Sequence, residues 1–170
     1  MLPSERDRVF GEWLKQYSGV IFKVIHAHAS NPAERQDLFQ EIALQVWRSV
    51  DAFGGNASVV TWIYRVALNA AIDWTRKEQR HRRERGALDA VEELFTVSGT
   101  PDPRLDWLYG RIRALNEIDR SLALLMLDGL SYREMATVLG ISENHVGVKI
   151  NRIKAALAEA ARGGDSDASR

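Results

Sequence analysis

Cysteine is absent from the 170-residue sequence, which excludes disulfides, thiolate metal sites and a cysteine nucleophile together. Long apolar runs are missing too. The longest uninterrupted aliphatic stretch, Leu122 to Leu127, falls far short of the roughly 20 residues that a membrane span needs, so no membrane partner is expected. The opening residues Met1-Leu2-Pro3-Ser4-Glu5-Arg6-Asp7 carry charge where a signal peptide has an apolar core, and a cytoplasmic location is therefore the expectation. Net charge is also lacking, with 23 Lys+Arg against 23 Asp+Glu. A neutral total argues against a nucleic-acid partner only if the charge is evenly spread.

It is not evenly spread. Residues 61–85 hold seven basic side chains (Arg65, Arg76, Lys77, Arg80, Arg82, Arg83, Arg85) against three acids, a net of +4. Residues 86–119 reverse the sign with seven acids against three arginines, and residues 131–157 return to +2. The zero is a cancellation between segments.

With 45% hydrophobic residues the composition is that of a globular chain. Helical spacing recurs along it and no strand-like alternation of useful length appears, so the expected class is all-α. Val97-Ser98-Gly99-Thr100-Pro101-Asp102-Pro103 is the densest cluster of turn formers. It predicts two small helical domains, 1–85 and 104–162, joined by a flexible acidic linker at 86–103 and followed by a polar tail at 163–170. Asn31-Pro32-Ala33-Glu34 and Ser131-Tyr132-Arg133-Glu134 both read as helix starts, with a capping side chain and a glutamate three residues on.

Three helices divide into faces at 100° per residue. Phe39, Ile42, Val46, Val50 and Phe53 form a core stripe, with Asp37, Glu41 and Arg48 opposite; a solvated face is the plain reading of those charges. In the next helix Ile63, Val66, Ala67, Ala70 and Trp74 face inward. Trp62, Arg65, Asn69, Arg76 and Arg80 gather on a second face, with Lys77 beside them. Arginine and lysine neutralise phosphates, asparagine bonds base edges and an indole stacks on an exposed base, which points to nucleic acid. The competing reading is that Trp62 plugs the edge of the core.

Residues 131–157 follow the grammar of a helix-turn-helix. A short capped helix stops at Gly140, a residue suited to the left-handed conformation, Ser142 caps a second helix, and Ala136 is small where the two must cross. Val146, Ile150, Ile153 and Leu157 make the buried stripe of the second helix. Asn144, His145, Val148, Asn151 and Arg152 make its other face, with Lys149 at the margin, and these side chains suit a major groove. An αα-hairpin without a DNA role is the alternative. The four histidines, His26, His28, His81 and His145, form no ligand or general-base constellation, so the sequence implies no metal, no cofactor and no catalytic residue.

With both basic modules in view, the sequence resembles the extracytoplasmic-function group of bacterial RNA polymerase sigma factors. The resemblance is carried by Asp37-Leu-Phe-Gln-Glu41-Ile-Ala-Leu-Gln-Val-Trp47, Phe53-Gly-Gly, Thr61-Trp62-Ile-Tyr64-Arg65-Val-Ala67-Leu-Asn69 and Asp73-Trp-Thr-Arg76-Lys77. In the second module it rests on Glu117-Ile-Asp-Arg120, Gly129-Leu-Ser-Tyr-Arg-Glu-Met-Ala136 and Leu139-Gly-Ile-Ser-Glu-Asn-His-Val-Gly-Val-Lys149. It implies a region 2-like domain over 1–85 and a region 4-like domain over 104–162.

By that resemblance Asp37, Glu41, Leu44 and Arg48 belong to the surface that meets the clamp coiled coil of the polymerase core. The loop from Phe53 to Val60, with Asn56, and the helix carrying Trp62, Arg65, Asn69, Arg76, Lys77 and Arg80 belong to the part that opens the minus-ten promoter element. Ser142, Asn144, His145, Val148, Lys149 and Arg152 belong to the reader of the minus-thirty-five element. The implied partners are the polymerase core (clamp coiled coil and flap) and promoter DNA, and many members of the group are sequestered by an anti-sigma factor. Two positions depart from the pattern: Val59-Val60 stands where an aromatic and a basic residue are frequent, and Asn116 where proline is common. A stand-alone helix-turn-helix regulator and a helical protein-interaction module are the rival readings.

Overall fold

The computed structural model describes residues 1–85 and 102–167. Most of the expected acidic linker at 86–103, and residues 168–170 of the tail, lie outside them. The fold is all-α, with seven α-helices and one 3-10 turn among the described residues. Two compact units are present, Met1–Tyr109 and Gly110–Arg170.

In the first unit α1 runs over Pro3–His28 and is interrupted at Tyr17 (φ −116°, ψ 19°). The Ser18-Gly19 pair follows at once, and such pairs favour kinks because they resist bending weakly. Next, α2 covers Pro32–Ser49, and its start follows the local signals: the Asn31 side chain accepts from the Glu34 N–H at 2.9 Å, and the Glu34 carboxylate reaches back to the Ser30 N–H at 3.0 Å. A 3-10 turn at Val50–Ala52 and a glycine-containing loop lead to α3, Val59–Arg85. Gly55 sits in this loop at φ +72°, a left-handed conformation that glycine adopts without penalty.

The three helices pack each against the other two. Ile21, Val24 and Ile25 of α1 meet Leu38, Ile42 and Val46 of α2 and Ile63, Tyr64, Ala67 and Leu68 of α3 in a core closed to solvent. Each such aliphatic side chain contributes about 1.5–3 kcal/mol by leaving water. The expected α2 stripe differs at its edges. Leu38 is fully buried, whereas Phe39 is only half-buried and stacks on Phe22 with ring centroids 6.3 Å apart. Because α2 packs against two helices, its apolar arc is wider than a single stripe and shifted toward Leu38.

The second unit is built from α4 (Pro103–Arg113, in which the division between units falls), α5 (Glu117–Leu127), α6 (Tyr132–Leu139) and α7 (Glu143–Asp167). Its core comes from Ile112, Leu122, Ala123, Leu125, Met135, Val138, Val146 and Ile150. The helix ends are specified residue by residue. Asn116 caps α5 by accepting from the Asp119 N–H at 3.0 Å, so the residue found in place of the common proline supplies its own helix start. Gly129 (φ +78°) stops α5, with Leu130 N–H bonded to Leu125 O. Ser131 and Glu134 form a complete capping box on α6, and Gly140 ends that helix in the left-handed conformation. Helix α7 continues through Gly163 and Gly164 to Asp167, into the stretch expected as a polar tail.

Candidate nucleic-acid interface

Within the first unit, burying Ile63, Ala67, Ala70 and Trp74 leaves Arg65, Asn69, Asp73, Arg76, Lys77 and Arg80 of α3 exposed. Trp62, in the first turn, is half-buried. Its Nε1–H donates to Ser49 Oγ at 3.0 Å and its ring meets Phe53 at 5.7 Å, so it is held in place at the edge of the core with part of its surface open. The edge-of-core reading of this tryptophan therefore describes how it is held. The loop that precedes α3 presents Asn56 to solvent and ends on Ser58, whose Oγ accepts from the Thr61 N–H at 3.2 Å.

The opposite edge of α2 carries Asp37, Leu44 and Arg48, all exposed, with Glu41 half-buried among them. Leu44 is 40% exposed although apolar, with Glu41 and Arg48 about one turn to either side of it. Asp37 is not a free carboxylate. The Trp74 indole N–H donates to its Oδ2 at 2.8 Å, tying α2 to α3.

Between these two faces runs a groove of about 370 Å³ lined by Glu41, Gln45, Arg48 and Ser49 of α2 and by Val66, Asn69, Ala70, Asp73 and Lys77 of α3. The groove brings together residues that the sequence assigns to separate jobs: Glu41 and Arg48 from the polymerase-facing set, Asn69 and Lys77 from the DNA-facing set. Sequence reasoning passed over Gln45, Ser49 and Asp73. Asp73 was visible in principle, since at 100° per residue it falls between Arg80 and Lys77 on the basic face.

In the second unit α7 begins at its cap, where Ser142 Oγ accepts from the His145 N–H at 3.1 Å. Asn144, His145, Val148, Asn151 and Arg152 are exposed along one face. Val148 is 52% exposed, an apolar group among polar ones of the kind that can contact a thymine methyl. Lys149 turns aside: its Nζ pairs with Asp119 Oδ1 on α5 at 2.9 Å, with both side chains about one-fifth exposed. It therefore fastens α7 to α5. Tyr132 of α6 lies against α7 at Gly147, where a β-carbon would come within 3.5 Å of the ring.

Arg120 is the buried cation among the described residues of this unit. Its Nη2 donates to Arg113 O at 2.7 Å and Leu115 O at 3.2 Å, satisfying carbonyls at the end of α4. Burial draws its pKa below the ordinary arginine value; Glu117 pulls the other way and Arg113 adds to the lowering.

Comparison with known proteins agrees with this geometry. Residues 13–81 match the family model of sigma-70 region 2, and residues 105–157 that of sigma-70 region 4. The chain is 28% identical over 135 residues to the ECF RNA polymerase sigma-E factor of Escherichia coli, covering 71% of this chain and 70% of that one. It is 26% identical over 152 residues to the ECF RNA polymerase sigma factor SigE of Mycolicibacterium smegmatis, covering 83% and 57%. Among solved structures, the fold is similar to the sigma factor RpoE of Bartonella quintana, crystallised with the anti-sigma factor NepR, with a TM-score of 0.70, 18% identity and coverage of 89% and 95%. With a region 2 module and a region 4 module in the expected order on one chain, the protein belongs to the sigma-70 family, as an RNA polymerase sigma factor of the ECF group.

Proposed function

We propose a division of labour between the two units. The first, with Asp37, Glu41, Leu44 and Arg48, docks on the clamp coiled coil of the polymerase core, and through the Phe53–Val60 loop, Asn56, Trp62, Arg65, Asn69, Arg76, Lys77 and Arg80 it opens the minus-ten element. The second reads the minus-thirty-five element with the face of α7 that carries Asn144, His145, Val148 and Arg152. The protein performs no catalysis of its own. It works in the cytoplasm with core polymerase and promoter DNA, and an anti-sigma factor is its regulatory partner.

The observation that carries this reading is the α3 face, where Arg65, Asn69, Arg76 and Arg80 stand exposed on one side of a helix whose other side is core. Such a face neutralises a single strand's backbone, while the fixed edge of Trp62 offers a stacking surface at its start. Taking a base out of the stack costs a few kcal/mol, which these contacts must offset.

Transcription with core polymerase on a genomic library tests the proposal. Discrete start sites sharing two promoter elements are expected, and their absence would overturn it. On one such promoter Arg65→Ala should impair permanganate-detected opening more than polymerase binding. Asp37→Asn, which keeps an acceptor for Trp74 while removing the charge, should do the reverse.

A further inference from the structure

We propose that the N-terminal half of α1 is a brace that sets the position of the promoter-opening loop, with Trp13 and Arg6 as positioning residues. The proposal rests on the assignment of promoter opening to the Phe53–Val60 loop and Trp62.

A continuous series of contacts leads from the brace to that loop. The Arg6 guanidinium pairs with Asp51, in the 3-10 turn that precedes the loop, and lies 4.7 Å from the centroid of the Trp47 ring. The Trp47 Nε1–H in turn donates to Asp7 Oδ1 at 2.8 Å, so the first turns of α1 are held twice to the end of α2. About two turns further on, Trp13 is 7% exposed and meets Phe53 edge-on, centroids 5.3 Å apart. Phe53 meets Trp62 at 5.7 Å, and Trp62 is bonded to Ser49.

Phe53 is thus clasped between a tryptophan of α1 and the tryptophan that begins the nucleic-acid face. It is also the residue from which the loop departs, just ahead of Gly54 and of Gly55 in its left-handed conformation. Two adjacent glycines give the loop wide backbone freedom, so its starting direction is set by what holds Phe53. Edge-on aromatic contacts fix orientation as well as distance. The kink at Tyr17 separates this N-terminal piece from the part of α1 that fills the core, Val20 to Ile25. The brace can therefore change without dismantling the bundle. Holding the loop and Trp62 in place before DNA arrives lowers the ordering cost of opening.

The test uses the full chain labelled with 5-fluorotryptophan, alone for fluorine NMR and with core polymerase for opening assays. Trp13→Leu should shift the Trp62 resonance and reduce opening of a duplex promoter by about 2- to 10-fold, the factor that corresponds to one lost aromatic contact. Polymerase binding and activity on a pre-melted promoter should hold, and Trp13→Phe should recover most of the loss. Arg6→Gln, at a partly exposed side chain that leaves the core intact, should act in the same direction. An unmoved Trp62 resonance in both variants, or duplex opening equal to wild type, overturns the brace. So does a deficit of the same size on the pre-melted template, which would mark a general loss of structure. If the wild-type chain itself opens no promoter with core polymerase, the opening assignment fails; if it does and the variants match it, only the brace fails.

Discussion

The two units hold their working faces by different means. In the first, the ties are indole and ion-pair contacts between residues far apart in sequence: Trp62 to Ser49 across 13 positions, Trp74 to Asp37 across 37, Trp47 to Asp7 across 40 and Arg6 to Asp51 across 45. In the second, the ties that define the helices close within three residues, at Asn116/Asp119, Ser131/Glu134 and Ser142/His145. The contrast follows from what each unit must present. In the second unit one helix is placed by a tight turn, mainly through caps and a left-handed glycine, with Lys149 to Asp119 as a cross-helix tie beside them. The first unit must present two faces of neighbouring helices and a glycine-bearing loop between them, and only cross-helix contacts can fix those relative to one another.

Substitutions can break this contrast or sharpen it. The largest effect is expected at Arg120, a buried side chain whose ties span five and seven residues and are partly buried. Arg120→Ala should cost the second unit about 2–3 kcal/mol, because two carbonyls lose a charged donor. Hydrogen exchange resolved by residue should show the loss in α4 to α7 and leave the first unit protected. Next, Trp74→Phe removes the donor to Asp37 and should cost the first unit about 1.5–3 kcal/mol. Ser131→Ala removes a local cap and should cost the second unit only about 1 kcal/mol. If urea titrations followed unit by unit placed the cap above the indole bond, the contrast between distant and local ties would not hold.

Smaller effects test the proposed DNA-facing side of α7. Asp119→Asn releases Lys149 and should tighten binding to minus-thirty-five DNA by about 2- to 5-fold, with the salt slope steeper by up to about 1. An unchanged slope in a salt titration would mean that Lys149 cannot reach DNA even when freed. Gly147→Ala should be the mildest change and of opposite sign. A β-carbon there makes ordinary contact with Tyr132 at 3.5 Å, so the gain in helix propensity, up to about 1 kcal/mol, should raise the unit's melting temperature.

The same contrast explains what could be read from the sequence. Asn31-Pro32-Ala33-Glu34, the Ser131–Glu134 box, Gly140 and Ser142 are local patterns, and each forms in the structure as the residues dictate. The apolar stripes were legible except at their edges: Leu38 stands in for Phe39 in the core of the first unit, and Phe53, Val66 and Leu157 are half-buried. The turn of Lys149 toward Asp119 was not legible, because it spans 30 positions. Nor were the bonds of Trp62 and Trp74, because a sequence pattern shows which face a side chain occupies but not which neighbour crosses over to meet it. The merging of Glu41 and Arg48 with Asn69 and Lys77 around one groove is of the same kind. The charge total of zero, uninformative by itself, resolves into an exposed basic face on α3 and a polar face on α7 that the core of each unit turns outward.

The claim that the two faces do separate work is tested most directly by transcription with core polymerase from one promoter in duplex and pre-melted form. Arg65→Ala should lose activity on the duplex and regain it on the pre-melted template, while Arg152→Ala should lose activity on both, because its contact precedes opening. Equal behaviour of the two variants on the two templates would contradict the account.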